Sequence, residues 1–231
     1  QEPGVIQVME VPTPTPGPGE VLLRVVACAL CGTDQRVLKG EKPVDVSIVG
    51  HEITGVVEQV GEGVTGIAKG ERYAVQTVVG CGTCPMCLRD QQNLCEQGFK
   101  AIGYQWNGGF AEHMVMPREA VAQGCLIALP VGIPDDVGTL IEPLSCCVNG
   151  MRCIPMDEME HVVIFGGGII GVLNGLVAKA GGAQTVTIMD ISGDRLRLHR
   201  ELGLPFDHWV DTSQTDAHAW VMDHTAGRGA A

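Results

Sequence analysis

The residues richest in chemistry fall in two short polar islands within mostly apolar sequence. One is Cys31-Gly32-Thr33-Asp34; the other, after a loop, is Gly50-His51-Glu52. A thiol, an imidazole and two carboxylates offered together suit a metal ion. Thiolate sulfur with imidazole nitrogen favours zinc, and so few protein ligands would leave a coordination position for water or substrate, as catalytic zinc requires. The competing reading is that Cys31 and His51, twenty positions apart, are ordinary core residues.

A second group is denser. Cys81-Gly82-Thr83-Cys84-Pro85-Met86-Cys87, closed by Cys95, reads C-x2-C-x2-C-x7-C. Two-residue spacings let successive sulfurs turn onto one centre at about 2.3 Å, and four thiolates fill a tetrahedron with no position left for substrate. The pattern reads as a structural zinc site that pins a loop with little core of its own, because metal binding there becomes folding free energy. An iron–sulfur cluster and chance clustering are the alternatives.

The third constellation belongs to a nucleotide. The apolar run His161 to Phe165, of the buried parallel-strand type, leads directly into Gly166-Gly167-Gly168-Ile169-Ile170-Gly171, which fits G-x-G-x-x-G. A helix follows with Leu173, Leu176, Val177 and Ala180 on one face, ending near Gly181-Gly182. The strand Thr185 to Met189 then ends in Asp190, nineteen residues after Gly171, where a ribose-binding acid is expected. Gly166, Gly168, Ile169, Ile170 and Gly171 are thus expected to cradle a dinucleotide. Asp190 would accept the ribose hydroxyls and favour NAD over NADP, with Arg195 as the residue that could instead accommodate a phosphate. Ser192 caps a helix through Leu202, His208 to Val210 reads as a third strand, and Asp216 to Thr225 as a third helix. Only the first half of a two-half nucleotide fold is written here.

Val11 to Glu20 is a proline-rich extended lead-in. Val21 to Ala27, Ile53 to Val60 and Glu71 to Val79 read as strands separated by glycine turns, implying a β-rich, barrel-like first domain. Gly108 to Met116 alternates, which puts His113 on a strand face rather than at a metal. Asp135 and Asp136 are helix N-cap candidates. Glu142, between Ile141 and Pro143, either faces solvent at a turn or points at a cation, because a carboxylate buried unpaired is costly. The expected domains are residues 1–145, zinc-binding, and 146–231, nucleotide-binding.

With 45% hydrophobic residues the chain can bury a real core, and its net charge of −12 argues against a nucleic-acid partner, leaving a small-molecule ligand as the better expectation. The most apolar window, Val162 to Ala178, is broken by glycines and Asn174 and is not a membrane span; no signal peptide opens the chain. Four of the ten cysteines lie in the metal-type cluster, which favours a reducing cytosol over a disulfide framework. Gln1 is not an initiator and Gly227 to Ala231 stop where a turn would lead to another strand, so a partial chain is expected.

Taken in order, these motifs, with Gly108-Gly109-Phe110-Ala111-Glu112 and Glu142-Pro143-Leu144, resemble the zinc-dependent medium-chain dehydrogenase/reductase family of the alcohol dehydrogenase superfamily, in its sorbitol and threonine dehydrogenase branch. The resemblance implies an α/β chain: a GroES-like β-barrel followed by a Rossmann doubly wound parallel sheet. It implies Cys31, His51 and Glu52 as catalytic zinc ligands, with Glu142 in the fourth protein position directly or through water. Thr33 would pass the substrate proton outward, and Asp34 would orient His51. It further implies two zincs per full chain, NAD, an alcohol substrate of the polyol, sugar-alcohol or L-threonine kind, and a homo-oligomer, dimer or tetramer. One departure is Arg36, where some relatives carry a histidine at the end of the proton path. A non-catalytic nucleotide-binding relative is the rival reading, but it would be expected to lose Cys31 or His51.

Overall fold

The structure, a computed structural model, describes residues 4–154 and 160–230; Gln1 and Ala231 lie outside the described residues. The chain divides into two compact units, residues 1–142 and 143–231.

In the first unit, β1 (Val21–Ala29), β2 (Glu52–Val60), β3 (Arg72–Val75), β6 (His113–Met116) and β7 (Leu126–Ala128) form one antiparallel sheet in the order β6-β1-β2-β3-β7. A separate ribbon pairs β4 (Val78–Val79) with β5 (Lys100–Ala101). Val21, Leu23, Ile53, Val57, Met114 and Met116 are essentially buried and make one core with Tyr73, Val75 and Ile102. Truncating a residue such as Ile53 to alanine there costs roughly 2–5 kcal/mol. The β1–β2 pairing slips between Leu22 and Leu23 and again between Val25 and Ala27, and it ends with Ala29 opposite Glu52. That register brings Gly50-His51-Glu52 beside Cys31, two residues beyond Ala29.

Short helices complete this unit: α1 (Gly32–Leu38), α2 (Arg118–Ala122) and α3 (Asp135–Gly138). Helix α4 (Ile141–Met151) begins at its end. Three local expectations change. The expected Glu71 to Val79 strand is two strands, β3 and β4: the Gln76 N–H still continues the β3–β7 register by donating to the Cys125 carbonyl at 2.8 Å, and beyond it Val78 and Val79 pair instead with Ala101 and Lys100. The alternating run from Gly108 becomes strand only at His113, since the N–H groups of Gly108, Gly109 and Phe110 bond instead to Ile48, Gly50 and Val49. Asp135 and Asp136 are first-turn residues of α3 rather than its cap, which is Pro134. Asp135 instead takes Arg72, whose Nη2 lies 2.9 Å from its Oδ1.

The second unit is parallel. β8 (His161–Phe165), β9 (Thr185–Asp190) and β10 (His208–Asp211) lie in the order β10-β9-β8, with α5 (Ile169–Ala180), α6 (Gly193–Glu201) and α7 (Ala217–His224) between and after them. Five of the six residues of the central strand β9 are buried. β8, at the sheet edge, is less buried than a central strand, and Phe165 is 70% exposed. On α5 the face that packs inward is Gly171, Leu173, Gly175 and Ala178; Ala180, expected there, is exposed because the helix is at its last turn. Gly175 is required by contact, since a Cβ would stand 2.6 Å from the Phe206 ring. Ser192 and Asp216 cap α6 and α7 by accepting the N–H groups of Arg195 and Ala219. No helix among the described residues is long and apolar enough to cross a membrane.

Candidate active site

Cys31 is not in a loop: it is the N-cap of α1. Its Sγ accepts the Thr33 N–H at 3.5 Å, while Asp34 Oδ2 reaches back to accept the Cys31 N–H at 2.8 Å, a reciprocal capping box. The Cys31-Gly32-Thr33-Asp34 motif is therefore also the start of a helix, and this local structure fixes the thiol and the carboxylate relative to each other. The other oxygen of Asp34 lies 3.5 Å from His51 Nδ1, with both side chains buried.

The turn before His51 is held by glycines. Gly50 has φ +95°, and a Cβ on it would meet Cys28 Sγ at 2.8 Å and the Phe110 ring at 2.9 Å. A Cβ on Gly108 would run into the Gly50 carbonyl. The segment 103–110 thus lies flat on the backbone of the imidazole-bearing turn, and only glycine permits that approach. This explains the Gly108-Gly109 pair at the start of the alternating run.

Cys31, His51 and Glu52 each offer a ligand atom, and these atoms all lie within 4.8 Å of one another. Burial opposes the charged imidazolium of His51, but hydrogen bonding to Asp34 and Cys31 and their charges outweigh it and raise its pKa to about 9. A half-buried thiol with a buried imidazole and a buried carboxylate, their donor atoms close together and the far imidazole nitrogen already facing a carboxylate, fit zinc in both donor chemistry and orientation of the ligand. Glu142 sits half-buried in the first turn of α4 rather than at a solvent-facing turn. It is not one of the three converging donors. Burial raises its pKa, Glu52 adds to the rise, and His51 opposes it, which puts Glu142 within electrostatic reach of the cluster.

Tyr104 is the residue missed from the pattern. Its hydroxyl lies 3.4 Å from His51 Nδ1, and the two rings are 5.3 Å apart between centres and tilted by 44°. Burial, with the charges of Asp34 and Cys31, lifts its pKa to about 12, opposed by a hydrogen bond with the Thr33 side chain. Nothing local in Gly103-Tyr104-Gln105 announces this, because the partners lie more than fifty residues away in sequence. His113, expected on a strand face, opens β6, and its Nε2 pairs with Glu58 at 2.8 Å.

The four cysteines of the second group also bring their sulfurs within 4.8 Å of one another. The sulfurs here are approached by Thr83 and by backbone N–H groups. The N–H and hydroxyl of Thr83 and the N–H of Cys84 point at Cys81 Sγ and draw its pKa down to about 6, while the N–H groups of Cys87 and Glu96 lower that of Cys84. Burial pushes Cys87 up to about 12. N–H donors aimed at sulfur favour thiolate, the form that binds metal; Cys87 opens the turn Cys87–Arg89 and Cys95 closes the turn Gln92–Leu94, and among the described residues the apolar cluster here consists of the four cysteines and Met86.

In the second unit the glycine motif forms the turn between β8 and α5. Gly166 has φ +102°, Gly168 is the N-cap of α5, and a Cβ on Gly171 would collide with the Gly166 carbonyl. Ile169, Ile170 and Gly171 form the first turn of α5, whose N–H groups have no partner within the helix and suit a phosphate. Asp190, at the end of β9, is buried and fully engaged. Its Oδ2 accepts Gly167 N–H and Arg195 Nη1, each at 2.7 Å, and its Oδ1 accepts Ser192 N–H at 2.8 Å. Burial disfavours the carboxylate, yet these donors prevail and lower its pKa. Arg195 is thus paired with the acid rather than standing apart from it. A Cβ on Gly167 would also stand 2.9 Å from His199 Cε1, so the middle position of the motif needs glycine in this chain.

Residues 17–128 match the alcohol dehydrogenase GroES-like domain. The chain is 37% identical to L-threonine 3-dehydrogenase of Pyrococcus abyssi over 96% of its own length and 63% of that protein's, and 34% identical to sorbitol dehydrogenase of Halalkalibacterium halodurans over 98% and 65%. Galactitol-1-phosphate dehydrogenase from Escherichia coli superposes with a TM-score of 0.85 at 28% identity, over 98% of this chain and 64% of that one. The chain therefore spans a little under two thirds of the length of these relatives. Its fold is the GroES-like domain joined to the first part of a Rossmann-type parallel sheet, and the chain belongs to the zinc-dependent medium-chain dehydrogenase/reductase family of alcohol dehydrogenases.

Proposed function

We propose that the protein is a zinc-dependent dehydrogenase that moves a hydride from a secondary alcohol to NAD, with a polyol, sugar alcohol or L-threonine-like compound as substrate. The convergence of the Cys31, His51 and Glu52 donors within 4.8 Å carries the reading. Residues 1–145 form its zinc-binding catalytic part and residues 146–231 its nucleotide-binding part. Cys31, His51, Glu52 and Glu142 serve the catalytic zinc, Glu142 directly or through water, and Cys81, Cys84, Cys87 and Cys95 hold a structural zinc. When bound, zinc supplies a Lewis acid that eases deprotonation of a hydroxyl, and NAD supplies the hydride acceptor.

The chain's own residues do the rest. Asp34 keeps His51 in one tautomer and one orientation by accepting from the Nδ1 side. The Thr33 hydroxyl accepts the proton released by the substrate hydroxyl and hands it onward. Glu142 and Glu52 balance charge around the site. In the nucleotide unit the first turn of α5 holds the pyrophosphate, and Asp190, oriented by Gly167, Ser192 and Arg195, faces the adenosine ribose. Named relatives that act on threonine, sorbitol and galactitol 1-phosphate support an alcohol substrate. An oxidation screen of the full-length protein with polyols, sugar acids and L-threonine, followed by NADH formation, tests the proposal; no turnover of any alcohol with zinc bound would sink it.

A further inference from the structure

In a chain with a net charge of −12, Lys42 is a lysine without an acid. It is half-buried, and its Nζ lies 4.4 Å from the centre of the Tyr104 ring. Among the described residues it forms no ion pair. The acids beside it in sequence are turned elsewhere: Glu41 toward Arg36 Nε at 3.8 Å, and Asp45 toward Gln105 Nε2 at 3.5 Å. The two segments are tied together, since Asp45 N–H donates to the Tyr104 carbonyl at 2.8 Å, so the ammonium is held over the ring and not placed there by a free side chain alone. At its other end the same tyrosine reaches the His51 imidazole, on the Nδ1 side that faces Asp34. Its hydroxyl is 3.4 Å from His51 Nδ1 and interacts with the Thr33 side chain. Tyr104 is thus a bridge from an uncommitted cation to the metal-binding imidazole.

We propose that Lys42, stacked on Tyr104, is an anion-binding group for the substrate, and that the protein selects alcohols carrying a carboxylate or a phosphate over their neutral counterparts. This deepens the alcohol dehydrogenase reading above and rests on it. An ammonium whose only partner is an aromatic face is incompletely compensated, and a charge-assisted hydrogen bond to an anionic oxygen would complete it. The surrounding acids, Asp34, Glu52 and Glu142, make the centre repel anions, so a local cation is what an acidic substrate would need to be held there.

The test pairs substrates that differ by one anionic group, with the full-length zinc-loaded protein: glycerol against glycerol 3-phosphate, sorbitol against gluconate, and L-threoninamide against L-threonine. The first pair probes phosphate, the other two carboxylate. The expected result is a preference for an anionic member of roughly tenfold or more in kcat/KM. Lys42→Ala should erase that preference by raising KM for the anionic members, and Lys42→Arg should retain most of it. Calorimetric titration with glycerol 3-phosphate and gluconate should show the same loss of binding in Lys42→Ala, independent of turnover. Neutral alcohols oxidised as well as the anionic ones, or an undiminished anion preference in Lys42→Ala, overturns the proposal alone. Absence of turnover with every alcohol overturns the dehydrogenase reading and this one with it.

Discussion

Asp34 stands 3.5 Å from His51 through one carboxylate oxygen while the other accepts the Cys31 N–H at 2.8 Å, so one side chain orients two of the three converging donors. Replacing Asp34 with alanine removes both constraints. Outer partners of this kind are worth roughly 10- to 100-fold in metal affinity. Asp34→Ala should therefore release one zinc to a chelator about that much faster and leave the other in place. Equal release from variant and parent would show that the pairing does not hold the site.

The four-cysteine group separates from the first in its consequences. Metal analysis should find two zincs per full chain, and iron or a single zinc would contradict the assignment. Cys84→Ser should lower the melting temperature more than it lowers turnover per folded molecule, because the apolar cluster around these cysteines consists of the sulfurs and Met86 alone among the described residues. Unchanged melting with lost turnover would place the reaction at the wrong cluster.

Much of this architecture was legible from the residue pattern, and what was not has physical causes. The strand, glycine turn and acid from His161 to Asp190 are local, so their spacing carried them. The helix starting at Cys31 was hidden, because Gly32 and Thr33 are poor helix formers and the helix depends on its capping box. Tyr104 and Lys42 were invisible for a different reason: they meet the site through pairing of segments far apart in sequence. The break in Glu71 to Val79 likewise depends on a change of partner, from β7 to β5, that no local residue announces.

Glu142 is raised by burial and by Glu52, and lowered by His51. If it serves the catalytic metal, removing its charge alters the site while sparing the nucleotide unit. Glu142→Gln should lower kcat by roughly tenfold or more, in line with the loss of a partner at a metal site, with the dissociation constant for NADH nearly unchanged. Full activity in the variant would reduce Glu142 to a helix-start residue.

Acid stability of the nucleotide unit should depend on Asp207. Burial opposes its ionised form, but Lys179 Nζ at 2.6 Å and the Val186 N–H at 2.6 Å outweigh that and lower its pKa. An acid whose folded pKa is depressed adds stability above its unfolded value, about 4, and loses it as the pH falls through the lower folded value. Asp207→Asn should therefore be less stable than the parent at pH 7, and the difference should shrink below about pH 4. A stability gap that stays constant from pH 7 to pH 3 would rule out the charge as its origin.

Cofactor choice turns on Asp190. The N–H groups of Gly167 and Ser192 and the Arg195 guanidinium hold its carboxylate ionised at the end of β9, the position from which such an acid accepts ribose hydroxyls. A 2′-phosphate placed there would meet a like charge, and Arg195 offsets it only in part because the arginine already shares its charge with the acid. Each hydrogen bond to a charged group is worth about 1.5–3 kcal/mol, so NAD should exceed NADP in kcat/KM by at least about tenfold. Asp190→Ala should weaken NAD by a similar factor and, with Arg195 released, improve NADP. NADP equal to or better than NAD in the parent protein would refute the assignment, and an Asp190→Ala variant with the parent's ratio would show that the acid serves only to tie the glycine turn to α6.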